Sequence, residues 1–340
     1  MADMSSAGSS DAVAQIAGHV LLTRALQPSD RDALVALHRT VFQSDVDARW
    51  HAWKYGVAHG FGSGVWSDEK LVAHCGGLAR SLWLAGQQTA GLQIGDVMVE
   101  PQWRGILTRR GPFFHASQHF YSTQIGVRRP FQLGFGFPGE RHLRLARAVG
   151  LLRDGGSILA MHWDTAHADA PAAWAWRWIP LNPDDATFDA TVNHAWNTMK
   201  ARSTSLAIGQ RDAAYMRWRF VERPDRKHHF FMLRRPWSRT AAGIAVLDLH
   251  TPQSAHWLDW VGDPELMALA CRACRAEAAR HGLHRLEMWA SPEVSQRLAA
   301  TNWTHQAETV RLGIVNTSTL DEATTAGLRW WLMGGDTDFL

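Results

Sequence analysis

The order of hydrophobic and polar positions in the first half of the chain predicts helices and strands in alternation. Apolar side chains recur at helical spacing behind Ser29 or Asp30, and the strand-like runs further on are separated by turn residues. In chain order the predicted elements are a helix at 24–41, strands at 64–66, 70–84 and 88–99, a helix from Leu107 or Gly111 to about Ser122, a strand at 131–137 and a helix at 140–149. This order predicts an α+β fold.

The second half repeats the pattern after a loop-like stretch rich in alanine, aspartate and proline. Strands are expected at 243–249, 257–261 and 285–290, with a helix at 264–281 and another after Pro292. In Arg217-Trp218-Arg219 the alternation indicates a strand with one wet and one buried face. We therefore expect a flexible tail (1–20), an N-terminal domain (21–163), a linker (164–204) and a C-terminal domain (205–340).

The composition fits a globular protein of about two domains. The chain has 340 residues, of which 46% are hydrophobic and 20% are charged. No apolar run approaches the roughly 18 residues of a membrane helix, and the N-terminus lacks the features of a secretory signal. Three cysteines are too few for a disulfide framework, which fits a reducing compartment. A cytoplasmic protein without a membrane span is expected.

The distribution of charge, and of cysteine and histidine, argues against a nucleic-acid-binding protein and against a metal-binding protein. The net charge is +3, and nearly all of the 35 basic residues are arginines, which bind carboxylates and phosphates bidentately. An acidic ligand is compatible with this, but the arginines are too dispersed for a nucleic-acid surface. Cys271 and Cys274 lie three residues apart in a predicted helix, where core packing explains them, and no carboxylate motif accompanies the histidine pairs. No metal site is expected.

The segment DVMVEPQWRGILTRRG at 96–111 carries the most specific chemistry in the chain. A strand runs into Glu100-Pro101, an arginine- and glycine-containing turn follows, and then a helix begins. Unpaired backbone N–H groups and the positive end of the dipole make the N-terminus of a helix an anion site. Gly105 lets the backbone approach a phosphate closely. The segment therefore predicts a phosphate-binding turn.

This segment resembles the signature of the GNAT N-acyltransferase superfamily, which is V-x-P followed by Q/R-x-x-G-x-G/A. Val99-x-Pro101 and Gln102-x-x-Gly105 match, whereas Leu107 stands where glycine or alanine is usual. The resemblance implies acetyl-CoA as co-substrate, with its pantetheine arm on the strand and its pyrophosphate in the turn. The implied cofactor-binding residues are Val97, Met98, Val99, Gln102, Arg104, Gly105, Ile106, Leu107, Thr108 and Arg109.

Other segments resemble a two-lobed bacterial group of GNAT proteins that is often found with polysaccharide genes. They are Trp53-Lys54-Tyr55-Gly56, the GFP motif at 136–138, DAAYMRWRF at 212–220 and WLMGGDTD at 331–338. The resemblance implies tandem GNAT-like lobes, each with a mixed, mostly antiparallel sheet flanked by helices. In the second lobe Asp263 and Glu265 follow the corresponding strand, and these carboxylates would repel a pyrophosphate. Only the first lobe is therefore expected to bind CoA.

Direct attack of an amine on the thioester needs an oxyanion donor and a base. The resemblance assigns the oxyanion donor to the backbone N–H of Val99, and Glu140 is the leading candidate for the base, ahead of Glu100 and Asp96. The tyrosine that many relatives place after the second strand is absent, and His142 is its possible substitute.

Three hypotheses follow. The first is an acyl-CoA-dependent N-acyltransferase acting on a small-molecule amine such as an amino sugar. The departures at Leu107 and Pro112, with the absent tyrosine, motivate a non-catalytic acyl-CoA-binding or scaffold protein. The third is an aminoacyltransferase of the type that builds peptidoglycan cross-bridges, which also pairs two such lobes. The turn at 102–105 argues against this third class.

Overall fold

The computed structural model describes residues 11–16, 18–56, 60–105, 110–166, 168 and 170–337. The chain forms two compact units, and both are discontinuous in sequence. Unit 1 takes in residues up to Arg80 together with Ala90–Gly155 and Leu312–Ala326. Unit 2 consists of Ser81–Thr89, Gly156–Arg311 and the residues from Gly327 onward.

Runs of strands and helices follow one another along the described chain, in an α+β arrangement. The strands are β1 (Ala12–Ile16), β2 (His19–Ala25), β3 (Gly60–Ser67), β4 (Lys70–Leu84), β5 (Gln87–Val99), β6 (Leu133–Gly136), β7 (Leu152–Asp164), β8 (Arg177–Pro180), β9 (Ala207–Gly209), β10 (His229–Arg234), β11 (Gly243–Asp248), β12 (Ser254–Gly262), β13 (Arg285–Ala290), β14 (Thr304–Val315) and β15 (Trp330–Trp331). The α-helices are α1 (Arg31–Phe42), α2 (Ala48–Tyr55), α3 (Pro112–Gln124), α4 (Glu140–Ala148), α5 (Phe188–Arg202), α6 (Ala213–Met216), α7 (Met267–Arg280), α8 (Pro292–Gln296) and α9 (Glu322–Ala326).

Unit 1 is built on a mixed sheet in the order β1-β2-β3-β4-β5-β6-β14. Strands β1 to β4 pair antiparallel with their neighbours, β5 and β6 are parallel, and β6 pairs antiparallel with β14. Helix α3 packs against β2 and β3, and its Phe114 and Phe120 enter a core that also holds Leu143 of α4. The apolar side chains of α1 pack separately, against a cluster that includes Met98 of β5.

The strands of unit 2 follow one another in the order β7-β13-β12-β11-β10-β8. In this series β12 and β13 are parallel, and a bulge between Val246 and Leu247 interrupts the pairing of β11 with β12. Helix α5 packs against β12 and α6, while α7 packs against β12 and β13. The core of this unit is rich in tryptophan, with Trp163, Trp257, Trp260 and Trp331 almost completely buried.

Three expectations about local structure need correction. Residues 12–16, assigned to the flexible tail, form β1 because β2 supplies a pairing partner. The predicted linker contains the 15-residue helix α5, which joins the core of unit 2. Arg217–Val221 is a π-helical turn rather than a strand, since it continues α6 and buries Trp218, Arg219 and Phe220 together.

None of the helices in the described part of the chain combines the length and the apolar character that a membrane span requires.

Candidate functional site

The candidate site begins where β5 parts from β6 in unit 1. The two strands pair from Gly91 with Leu133 as far as Ile94 with Gly136. Strand β6 ends at Gly136, and Pro138, two residues later, lacks the backbone N–H that a longer ladder would use. Strand β5 nevertheless continues to Val99. Its last residues therefore present an edge that β6 does not cover.

The direction of the backbone groups on this edge follows from one hydrogen bond. The N–H of Glu100 donates to the carbonyl of Val72 on β4, at 2.9 Å. Successive N–H groups of an extended strand point to opposite edges, so the N–H groups of Val97 and Val99 face away from β4. The carbonyl of Val99 faces the same way and accepts from Nε of Arg104 at 2.8 Å. Met98, in contrast, is fully buried.

The turn after β5 is held by a short polar network. Glu100 is buried and contacts Nζ of Lys70, while Nε2 of Gln102 donates to its other carboxylate oxygen at 2.9 Å. Pro101–Trp103 forms a 3-10 turn, and Gly105 then adopts φ of +80°, a left-handed conformation that favours glycine. A Cβ placed on Gly105 would meet no heavy atom within 4 Å, so the space above the turn is open.

Helix α3 starts at Pro112. This start lies next to Gly111, the later of the two predicted positions, and not at Leu107. Proline suits the first position of a helix since the first N–H has no intrahelical partner. Gly111 caps the helix without a side-chain hydrogen bond, so among the described residues no capping side chain bonds to the N–H groups of Phe113 and Phe114; N–H groups at this position of a helix can bind an anion. Four predicted ligands, Ile106, Leu107, Thr108 and Arg109, lie outside the described residues.

A buried polar cluster surrounds Asp96, within the same stretch of β5. Its Oδ1 accepts from Nζ of Lys54 at 2.8 Å and its Oδ2 from the hydroxyl of Tyr55 at 2.5 Å. Nδ1 of His74 lies 2.7 Å from the backbone carbonyl of Asp96. Nε2 of His38 lies 3.9 Å from Oδ1. The sequence analysis named the Trp53-Lys54-Tyr55 segment only as a resemblance and did not predict this cluster. A lysine between aromatic residues of a helix is the sequence feature that could have indicated it.

Burial sets the protonation of this cluster. Burial raises the pKa of Asp96, but Lys54 and Tyr55 outweigh it, so the pKa of this carboxyl is lowered and the carboxylate is ionised. Burial lowers the pKa of His74 to about 4. Burial also lowers the pKa of His38 and of His51, which line the same region. The neutral imidazole of His74 therefore donates Nδ1–H to the Asp96 carbonyl.

The predicted base lies apart from this cluster. Glu140 is the first residue of α4, its side chain is 65% exposed, and its carboxylate is 4.0 Å from Nε of Arg144. His142, two residues later, contacts Phe113 edge to face with ring centroids 4.9 Å apart. Burial lowers the pKa of His142. His142 thus adjoins the N-terminus of α3, whereas Glu140 faces solvent.

The corresponding turn of unit 2 is closed by its own side chains. Asp263 follows β12, and its carboxylate accepts from the N–H of Glu265 at 3.1 Å and pairs with Arg202 at 2.8 Å. The helix N-terminus that could bind an anion here is therefore already capped by a carboxylate.

Groups of side chains suited to a metal ion do not occur in the part of the chain that is described. Cys271 and Cys274 lie fully buried in the core of unit 2. Burial raises the pKa of Cys271 to about 12, so its thiol is protonated at neutral pH.

The uncovered edge of β5 and the turn after it lie within a segment that matches a known family model. Residues 23–111 match the family model of the acetyltransferase (GNAT) domain. The match covers the first part of the chain, and the solved structures below show that the fold of the chain consists of tandem GNAT-like lobes.

Solved structures share this fold at low sequence identity. A protein of Enterococcus faecalis described as "Probable N-Acyltransferase" has a TM-score of 0.67 and 11% identity, and the match covers 87% of this chain and 72% of the other. A GCN5-related N-acetyltransferase of Anabaena variabilis has a TM-score of 0.63 and 15% identity, with coverage of 86% and 72%.

The N-myristoyltransferase of Saccharomyces cerevisiae, solved with bound myristoyl-CoA, also shares the fold. Its TM-score is 0.56 at 11% identity, and the match covers 86% of this chain and 80% of the other. No curated protein sequence matches this chain.

Proposed function

We propose that this chain transfers an acyl group from acyl-CoA to a primary amine, and that the CoA site lies in unit 1. The observation that carries the proposal is the uncovered edge of β5 leading into the turn at 101–105 and the open N-terminus of α3. An extended pantetheine arm, which carries amide groups, can pair with such an edge as an added strand would. The turn and the helix N-terminus suit a pyrophosphate.

The residues present fit this co-substrate. Gly105 leaves open space above the turn, and Phe113 and Phe114 offer uncommitted N–H groups. Acyl-CoA supplies an activated thioester. Val97 and Val99 then bind and orient it through N–H groups on the free edge, and the N–H of Val99 stabilises negative charge on the thioester oxygen.

The remaining proton is the one on the attacking ammonium group. Glu140 is exposed and can pass this proton to solvent, and it remains our candidate base. His142 is the second candidate because it contacts Phe113 at the start of α3. The finer proposals are acetyl-CoA as donor and an amino sugar as acceptor.

Calorimetric titration of acetyl-CoA tests the site. Arg104→Glu places a negative charge in the turn and removes the contact to the Val99 carbonyl. Arg239→Glu makes the same charge change on an exposed arginine of unit 2 and is the matched control. We expect Arg104→Glu to weaken binding at least tenfold and Arg239→Glu to change it less than twofold. Equal binding by both variants would remove the site from this turn.

An acyl and amine panel tests the reaction. Titrations with acetyl-CoA and myristoyl-CoA distinguish a short from a long acyl donor, and release of free CoA in the presence of amines, including amino sugars, measures turnover. Binding without turnover on every amine would favour the non-catalytic alternative, and dependence on aminoacyl-tRNA would favour the cross-bridge alternative. A folded wild-type protein that binds no acyl-CoA would contradict the proposal that this chain is an acyltransferase.

A further inference from the structure

We propose that Lys54, Tyr55 and His74 form a clamp on Asp96 that holds β5 in the shape needed to bind the pantetheine arm. This inference rests on the function proposed above. The clamp connects the two segments that sequence analysis kept apart, since Lys54 and Tyr55 end α2 and Asp96 lies in β5. It assigns the three residues a positioning role and not a role in chemistry.

Asp96 has an unusual backbone conformation for its place in the fold. Its φ is +47°, in the left-handed region that non-glycine residues seldom occupy. The other described non-glycine residues with positive φ are Gln43, Asp68, Ala85, Arg128 and Asn302, and they lie at helix ends or in turns. Among the described non-glycine residues, Asp96 alone has a positive φ inside a strand. Such a conformation persists only when the surrounding structure determines it.

Two elements, α2 and β4, hold Asp96 in this conformation through hydrogen bonds. Helix α2 holds the carboxylate through Lys54 and Tyr55, and β4 holds the backbone carbonyl through the side chain of His74. The His74 ring is itself packed between two glycines, because a Cβ on Gly62 or Gly76 would lie 2.6 Å from its atoms. A side chain thus binds a strand carbonyl that a regular ladder would pair with a backbone N–H.

These contacts hold a kink in β5 at Asp96. The backbone of Asp96 is accessible there, and its side chain is buried. The Asp96 side chain is only 8% exposed, yet Asp96 as a residue is half-buried, as are Gly95 and Val97 beside it. The accessible surface at this point of β5 is therefore main chain. It lies directly before Val97 and Val99, whose N–H groups face the edge that β6 leaves uncovered.

The same burial excludes Asp96 as the base for the attacking amine. Both of its carboxylate oxygens already accept hydrogen bonds, and its pKa is lowered. A carboxylate that is ionised, buried and fully bonded is a weak proton acceptor at neutral pH. Removing its partners should accordingly alter the shape of β5 before it alters any proton transfer.

The binding of two ligands distinguishes a positioning role of the clamp from a general effect on the stability of unit 1. On the proposed function, acetyl-CoA would contact both the turn and the free edge of β5. Phosphoadenosine diphosphate, the part of CoA without the pantetheine arm, would contact only the turn. Tyr55→Phe removes a single hydroxyl from the clamp, and Lys54→Met removes its cation. Lys54→Arg is the conservative variant, and Lys227→Met changes an exposed lysine of unit 2 as the control.

We expect Tyr55→Phe and Lys54→Met to weaken acetyl-CoA about tenfold in calorimetric titration and to leave phosphoadenosine diphosphate within twofold of the wild type. Lys54→Arg should recover part of the loss, and Lys227→Met should bind as the wild type does. Amide hydrogen exchange at Val97 and Val99 should also quicken in Tyr55→Phe, which keeps the test valid if Lys54→Met fails to fold.

Equal weakening of both ligands would overturn the clamp, because it would mean a general loss of structure in unit 1. Unchanged acetyl-CoA binding in a folded Tyr55→Phe would overturn it as well. A wild-type protein that binds neither ligand contradicts the proposed function itself and removes the basis of the clamp with it.

Discussion

At the scale of single residues, this chain buries several charged side chains, and Arg211 is the most completely buried of the arginines described. Arg211 is fully buried in unit 2 and bonds to Asp259 at 2.9 Å, to Asp336 and to the carbonyl of Gly209. Burial raises the pKa of Asp259 to about 6, and the nearby Asp336 adds to this effect, although Arg211 opposes it. One arginine therefore holds two carboxylates and fastens the segment before the C-terminus.

Replacing Arg211 by methionine should destabilise the protein by about 3–5 kcal/mol, since two buried carboxylates would lose the arginine that bonds to both of them. Urea unfolding measures the change. The control is Arg144→Met, which breaks an ion pair whose side chains are 72% and 65% exposed and should cost at most a few tenths of a kcal/mol. A loss below about 1 kcal/mol for Arg211→Met would contradict the assigned role.

At the scale of elements, helix α5 shows that a segment predicted as a linker can belong to the core. Helix α5 buries Phe188, Val192, Ala195, Trp196 and Met199, a spacing that forms one continuous apolar face. Sequence reasoning read the surrounding alanine- and aspartate-rich stretch as a linker. The helix nevertheless contributes to the core of unit 2 and packs on β12.

Met199→Ala should therefore cost about 2–5 kcal/mol of unfolding free energy, because the fully buried side chain leaves a cavity when it is truncated. Asn197→Ala, on the exposed face of the same helix, should cost less than about 0.5 kcal/mol. Thermal or urea unfolding of the pair checks the assignment. Equal effects would show that the helix does not pack as described.

At the scale of the whole molecule, the two units differ in the turn after the corresponding strand. In unit 1 a glycine turn leads to a helix whose cap leaves N–H groups open, whereas in unit 2 Asp263 caps the helix and pairs with Arg202. The fold is thus repeated, whereas the turn that we propose as an anion site occurs once in the described chain.

We accordingly expect one acetyl-CoA per chain in calorimetric titration. Ligand at about 100 times its dissociation constant should stabilise the protein by roughly 2.7 kcal/mol. Protection from hydrogen exchange should appear in peptides that cover 95–124 and be absent from those that cover 254–280. Two molecules per chain, or protection of 254–280, would contradict the assignment of a single site.

Local patterns in the sequence were sufficient for much of the fold and for the turn. Helical spacing, alternation and proline stops located α1, β4, β5, α4 and β13, since each of these signals lies within about fifteen residues. The motif from Val99 to Gly105 was equally local, and the structure describes it as a strand end and a left-handed glycine turn.

Contacts between distant residues could only come from the tertiary structure. The Lys54–Asp96 pair spans 42 positions, and the exposure of Glu140 depends on which face of α4 meets the core. The helical form of Arg217–Val221 depends on the burial of Trp218, Arg219 and Phe220, which overrides the alternating pattern. The sequence by itself thus determined the class of fold and the turn, because these follow from spacing along the chain. The tertiary structure decided the shape of β5, because its kink is held by residues that only folding brings together.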